Sequence, residues 1–235
     1  MYKDIFEAAE NGTVDDVRFF VEQGVDVNAE KEYSGETVLQ TAAECNSVDV
    51  VKYLVENGAD VNIKLKHNWT LLHSVIMNNP CVGIVKYLIE NGADVNAKAD
   101  DGWIPLHYAA SWYDSDINMV KYLVKNGSEV NAKTDKKETP LHWCVACSPK
   151  LNILEYLIAR GADVNAKNSR GLTPLQILLI NDEVYDRTDD FVEILKYLID
   201  HGADVNASIT PLDLAVPDTL KAVIREAGGK SGAEM

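Results

Sequence analysis

The sequence predicts an all-α repeat protein built from successive helix pairs, and two observations support this prediction. The phrase GADVNAK stands at residues 92–98 and again at 161–167, with shorter copies at 58–62 and 202–207. The asparagine of each Val-Asn pair recurs at steps of 34, 34, 35, 34 and 41 residues, at Asn28, Asn62, Asn96, Asn131, Asn165 and Asn206. Constant spacing with self-similarity indicates units that bury their apolar faces by stacking on their neighbours.

The first element of each unit is a short helix that begins at a Thr-Pro-Leu-His-like tetrad. These tetrads start at Thr37, Thr70, Ile104, Thr139, Thr173 and Thr210. Threonine suits a helix N-cap because its hydroxyl can accept a bond from a free amide of the first turn. Proline suits the next position, where no hydrogen bond is lost. Small pairs such as Ala42-Ala43 and Ala109-Ala110 then allow close packing.

The second element is a helix that runs through residues 48–58, 83–92, 118–127, 152–161 and 192–202. In the first of these, Val50, Val51, Leu54 and Val55 share one face, as the helical period requires. The glycine at its end is expected to adopt the left-handed conformation of a C-cap. GADVNAK is therefore interpreted as a joint, which stops one helix and leads into the next unit.

The tetrad, the Ala-Ala pair, the second helix and the GADVNA joint together resemble the ankyrin repeat family over residues 2–228. The resemblance implies an ankyrin-like α-solenoid of antiparallel helix pairs connected by β-hairpin fingers. Its fingers and first helices would line a concave surface that binds a partner.

The predicted domain organisation is a single repeat domain over residues 1–228 and a flexible tail over 229–235. The domain divides into about seven units. These are an N-terminal cap at 1–30, repeats at about 31–64, 65–98, 99–133, 134–167 and 168–207, and a C-terminal cap at 208–228. The finger of the last cap is reduced to residues 208–209, and the acidic insertion at 181–190 is either a decorative loop or a secondary contact.

The composition argues against several classes of function. The hydrophobic content of 46% is enough for a substantial core, and the net charge of −15 argues against binding to nucleic acid or anionic lipid. No apolar run is long enough to span a membrane, and the N-terminus lacks the pattern of a secretory signal. The four scattered cysteines indicate reduced thiols. We expect a monomer located in the cytoplasm.

Candidate catalytic and metal-binding groups are interpreted as structural. The CVAC segment at 144–147 lies close to His142, but Cys144 fills a position that holds alanine in other units, and no second CxxC completes a zinc site. His73, His107 and His142 recur at one repeat position, where a hydrogen bond to the local backbone or hydroxyl accounts for them. The sequence therefore predicts no enzyme, no metal and no cofactor.

Partner binding is expected where the copies differ, at finger tips, before the tetrads and at the ends of first helices. The predicted binding residues are Tyr33, Lys66, His67, Trp69, Asp100, Asp101, Trp103, Trp112, Tyr113 and Lys136. Exposed tryptophan and tyrosine are typical of interface hot spots. The alternative is that each tryptophan lies flat across the neighbouring finger as local packing.

The predicted function is a non-enzymatic protein-interaction module that binds its partner through the concave finger and first-helix surface. The alternative is an acidic inhibitor or mimic that competes for a basic, nucleic-acid-binding protein. Salt separates the two, because screening weakens an acidic interface much more than an aromatic one.

Overall fold

A computed structural model describes residues 2–45, 47–78, 80–111, 116–147, 149–180, 191–207, 211–214 and 218–234. These residues form thirteen α-helices and two 3-10 turns, Lys66–Asn68 and Pro211–Asp213. The helices are α1 Ile5–Asn11, α2 Val14–Glu22, α3 Val38–Glu44, α4 Val48–Glu56, α5 Leu71–Asn78, α6 Val82–Glu90, α7 Pro105–Ser111, α8 Ile117–Lys125, α9 Pro140–Ala146, α10 Leu151–Ala159, α11 Pro174–Ile180, α12 Phe191–Asp200 and α13 Asp218–Glu226. The predicted α repeat fold is confirmed.

The first helices begin at the tetrads, as predicted. The Thr37 hydroxyl accepts a hydrogen bond from the backbone N–H of Gln40 at 3.2 Å and caps α3. Pro105, Pro140 and Pro174 each stand at the first helical position of α7, α9 and α11. The tetrad is therefore a helix-start signal in every full unit where its residues are described.

The second helices end two residues earlier than the sequence suggested. The helix predicted over 48–58 is α4, which stops at Glu56, with Asn57 as the C-cap. The following Gly58 has a φ of 94° and confirms the left-handed turn. A Cβ at Gly58 would meet no atom within 4 Å, so the backbone conformation, and not crowding, selects glycine.

The asparagine side chain of the GADVNAK-like segment forms hydrogen bonds that connect one repeat to the next. In five joints Nδ2 donates to the carbonyl of the glycine that ends the next unit, and Oδ1 accepts the backbone N–H two residues after that glycine, at 2.7–3.2 Å. The asparagines are Asn28, Asn62, Asn131, Asn165 and Asn206. The repeated phrase thus combines a helix stop with a clamp between units.

The chain forms two compact units, residues 1–100 with 125–127, and residues 101–124 with 128–235. In the first unit α3 packs against α1 and α5, and α4 against α2 and α6. In the second unit α9 packs against both α7 and α11. Val50, Val51 and Leu54 of α4 are buried, whereas Val55, which was predicted on the same face, is half-buried.

The fingers are tight turns closed by backbone hydrogen bonds. One such bond joins Leu65 N–H to the Trp69 carbonyl at 2.7 Å, and another joins Thr134 N–H to the Glu138 carbonyl at 3.0 Å. Only two isolated antiparallel bridges and no β-strand occur in the part of the chain that the structure describes. The β-hairpin geometry of the fingers stays a prediction.

The C-terminal residues contact both the last repeat and the C-terminal cap. Lys230 N–H donates to Asn206 Oδ1 at 2.7 Å, and Gly232 N–H donates to Asp213 Oδ2 at 2.8 Å. The flexibility predicted for residues 229–235 stays a prediction. No helix among the described residues is long and apolar enough to cross a membrane.

Candidate functional site

The predicted binding residues of the first unit lie on neighbouring fingers. Tyr33 is 95% exposed at the tip of its finger. Lys66 and His67 are exposed in a single 3-10 turn. Trp69, directly after this turn, is half-buried, and its ring centroid lies 6.0 Å from that of His73. Tyr33, Lys66 and His67 are open to a partner, whereas Trp69 also packs on its own first helix.

Asp100 makes three polar contacts with the turn at residues 66–68 of the first unit. Its backbone N–H donates to the His67 carbonyl at 2.9 Å, and its carboxylate accepts from Asn68 Nδ2 at 2.5 Å. The carboxylate also lies 3.4 Å from Nδ1 of His67. His67 and Asn68 have positive φ angles of 63° and 55°, which cost roughly 1–2 kcal/mol each outside glycine. The bonds to Asp100 connect this turn to the following finger.

Trp103 lies at the centre of an aromatic cluster in the second unit. Its ring centroid is 5.6 Å from that of His107, 4.6 Å from Tyr108 and 4.3 Å from Trp143. Trp103 and Trp143 are half-buried, and Tyr108 is nearly buried. The sequence left open whether this tryptophan packs or binds. Packing is observed, and the exposed part of the ring leaves binding as a proposal.

Asp101 and Lys136 have exposed side chains on fingers whose backbones are connected. The Asp101 carbonyl accepts from Asp135 N–H at 3.0 Å, and the Lys136 carbonyl accepts from Ser169 N–H at 2.8 Å. The backbone bonds therefore fix where these two side chains project.

Four predicted features fall outside the described residues. They are Trp112, Tyr113, the insertion at 181–190 and the shortened finger at 208–209.

Two positions on the first helices of the repeats differ between the two compact units. The position after the tetrad holds Thr41, Ser74, Tyr108, Trp143 and Ile177, and the position three residues later holds Glu44, Met77, Ser111, Ala146 and Ile180. In the first unit the Ser74 hydroxyl donates to Glu44 Oε1 at 2.8 Å, and the Thr41 hydroxyl donates to Glu36 Oε1 at 2.6 Å. In the second unit the same positions are mostly aromatic or aliphatic. The repeat framework accepts either chemistry there.

The apolar residues of the second unit line a groove of about 300 Å³. Trp143 and Ala146 of α9 form one wall, and Ile177 and Ile180 of α11 form the other. Ile180 is 41% exposed, which places it among the large hydrophobic side chains that remain open to solvent. The remaining lining residues are His142, Glu138 and Arg170. The groove is an apolar trough with two charged groups beside it.

The recurring histidines are structural in the way the sequence predicted. Nδ1 of His107 accepts the backbone N–H of Ile104 at 3.1 Å, so Nε2 carries the proton and donates to the Glu138 carbonyl at 3.2 Å. His142 makes the equivalent bonds to Thr139 and Leu172. Burial lowers the pKa of His107 to about 4 and also lowers that of His142. Both rings are therefore neutral near pH 7 and use both nitrogens to support the fold.

The Cys144 thiol is a core group. Its side chain is fully buried in α9, and burial raises its pKa to about 12. A thiol in this state is neither a nucleophile nor a ready metal ligand at neutral pH. Within the described ranges, no group of three or more His, Cys, Asp or Glu side chains is placed to hold a metal ion.

Sequence reasoning missed the residues that build the groove. Trp143, Ile177 and Ile180 stand on first helices, which the family resemblance implies line the binding surface, but these three residues were not among the predicted binding residues. The signal that could have found them is the alignment of the five first helices, in which one column changes from Thr and Ser to Tyr, Trp and Ile. A column of that kind is not fixed by the framework.

The family comparison covers nearly the whole chain. A family model described as ankyrin repeats (3 copies) matches residues 5–99, 61–134, 82–168, 113–209 and 141–228. No curated protein matches the chain significantly.

Proposed function

Because the chain belongs to the ankyrin repeat family, whose repeats generally mediate protein–protein interaction, we propose that it is a non-enzymatic module that binds a partner protein through first helices and fingers. In the second unit the proposed surface comprises Trp103, Trp143 and Ile180, together with the exposed finger residues Asp101 and Lys136. In the first unit the proposed contacts are Tyr33, Lys66, His67, Trp69 and Asp100.

The observation that carries this proposal is the apolar character of the groove between α9 and α11. The framework does not require it, since three of the four equivalent positions of the first unit hold the polar residues Thr41, Glu44 and Ser74, and the fourth holds Met77. Leaving Ile180 exposed forgoes the free energy that its burial would contribute, roughly 25 cal/mol per Å² of apolar surface. Exposed apolar surface of this kind is typical of a protein-binding site.

The chemistry of the described side chains supports a role in binding over one in catalysis. Three groups with the potential for acid–base or nucleophilic chemistry are His107, His142 and Cys144. Both nitrogens of each histidine are engaged in hydrogen bonds, and the thiol is buried and protonated. Each of these groups is accounted for by the fold.

The test compares two exposed aliphatic residues of one repeat. Ile180→Asp introduces a charge into the groove, whereas Val192→Asp introduces the same charge on α12, where Val192 is 39% exposed. Proteins captured from the native cell are quantified for the wild-type chain and both variants. We expect Ile180→Asp to lose its specific partner by about thirtyfold, the scale of a hot spot. We expect Val192→Asp to retain it, with circular dichroism confirming that both variants fold.

Equal retention by both variants would contradict the proposed surface. The salt dependence of the captured complex then distinguishes the two functions. An apolar interface changes little between about 50 and 500 mM salt, whereas an acidic mimic of nucleic acid weakens strongly.

A further inference from the structure

Two opposite charges beside the groove have no ion-pair partner among the described residues. Glu138 is half-buried directly before Thr139, the N-cap of α9, and Arg170 is exposed in the finger that precedes α11. Other charges of the protein do form ion pairs, for example Lys31 with Glu36 at 2.9 Å. Glu138 and Arg170 line the same groove, yet they do not pair with each other.

The groove therefore has a charged end and an apolar part. Its charged groups lie at the finger end, where α9 and α11 begin, and Trp143, Ile177 and Ile180 continue along the two helices. A matching occupant needs an apolar side chain over the helices and both a base and an acid at one end.

The backbone of the groove walls decides the conformation of that occupant. Both walls are α-helices, whose interior N–H and C=O groups bond to each other and leave no ladder for an extended chain. An occupant gains no backbone hydrogen bonds from these walls, and a helix, whose backbone groups bond to each other, suits such a groove. The volume of about 300 Å³ accommodates one or two large side chains.

We propose that the groove binds an amphipathic helix of a partner protein. This proposal rests on the proposed function and adds the partner's chemistry. A large apolar side chain lies over Trp143, Ile177 and Ile180. One turn away along the partner helix, a basic residue pairs with Glu138 and an acidic residue pairs with Arg170, because residues three and four apart share a helix face.

The test uses a displayed library of helical peptides with eight randomised surface positions. The library is selected separately on the wild-type chain and on the double variant Glu138→Arg with Arg170→Glu, which keeps the net charge and the apolar walls. Wild-type selections should enrich an apolar anchor with one base and one acid a turn away. On the double variant the base and the acid should exchange positions.

Affinities of the enriched peptides give the second readout. The best wild-type peptide should bind the double variant about tenfold more weakly, as expected for two partly exposed ion pairs. Exchanging the peptide's own two charges should restore the affinity. If the double variant does not fold, Glu138→Gln with Arg170→Gln replaces it, and the enriched peptides should keep the anchor and lose the charge preference.

The outcomes separate this inference from the function on which it rests. Peptides that lose binding on Ile180→Asp but show no charge preference would overturn the inference and leave the apolar binding surface in place. Peptides that bind regardless of Ile180→Asp, or a library in which no helical sequence is enriched, would overturn the inference, whereas the proposed function is contradicted only if the captured partner is retained equally by Ile180→Asp and Val192→Asp.

Discussion

Replacing His107 by glutamine should remove an acid-sensitive part of the stability and leave the helix start intact. His107 is fully buried, and Nδ1 accepts the backbone N–H of Ile104. In another repeat Gln176 does the same, because its Oε1 accepts the backbone N–H of Thr173 at 2.8 Å. Glutamine therefore already occurs at this position in another repeat, and its amide is not protonated as the pH falls from 7 to 4.

The magnitude follows from the pKa of His107. Burial lowers this pKa from 6.5 to about 4 in the folded protein. As the pH falls, the unfolded chain binds the proton first, so the stabilisation is fully present above pH 6.5 and is lost as the pH approaches 4. The complete loss is about 3 kcal/mol, and about 2 kcal/mol of it has occurred at pH 5.

Urea unfolding of the wild-type and His107→Gln proteins at pH 7, 6 and 5 measures this effect. The carboxylates titrate in both proteins, so the difference between the two free energies of unfolding isolates the histidine. We expect this difference to move by about 2 kcal/mol in favour of the variant between pH 7 and pH 5. Gln176→His is the matched control, since it should add acid sensitivity at the equivalent position. Parallel pH profiles for the wild type and His107→Gln would refute the linkage argument.

Three further predictions concern the joints, the fingers and the core. Asn131→Ala removes both bonds of one clamp and should lower the free energy of unfolding by about 1–2 kcal/mol, while the exposed Asn152→Ala should have little effect in the same urea titration. Gly102 and Gly171 have φ angles of 79° and 75°, but only at Gly102 would a Cβ meet the neighbouring finger, at 3.0 Å. Gly102→Ala should therefore unfold at a lower urea concentration than Gly171→Ala, and equal midpoints would contradict this. Cys144 should resist iodoacetamide at pH 8 in the native protein and react in urea, as peptide mass spectrometry would show.

The fold was predictable because its signals are local. A threonine before a proline, or a glycine after an apolar helix, acts through its own backbone conformation, so each copy can be recognised without knowledge of its neighbours. Repetition of these signals at a constant interval then predicts stacking. The end of α4 at Glu56 was missed by two residues because the C-cap and the glycine turn extend the helical pattern beyond the last hydrogen-bonded residue.

The candidate site was less predictable because it depends on contacts between repeats. Trp69 and Trp103 occupy the same position in the sequence, yet Trp103 contacts three aromatic rings, one of which is contributed by the following repeat through Trp143. Whether a helical side chain faces the core or a groove is decided by the adjacent helix, and the sequence of one repeat does not contain that information. That Glu138 and Arg170 line the same groove was hidden for the same reason.

The asparagine clamp has a consequence for how such a chain can change its length during evolution. Each asparagine side chain bonds only to backbone atoms of the following repeat. The separation is 30 residues from Asn28 to Gly58, from Asn62 to Gly92 and from Asn131 to Gly161. Duplicating the gene segment that encodes one 34-residue repeat would therefore give the new copy both parts of the clamp. These are an asparagine that bonds to the following repeat and the backbone groups to which the preceding asparagine bonds. No compensating mutation elsewhere would be required, so the residues that face a partner can diverge afterwards without the joints being redesigned.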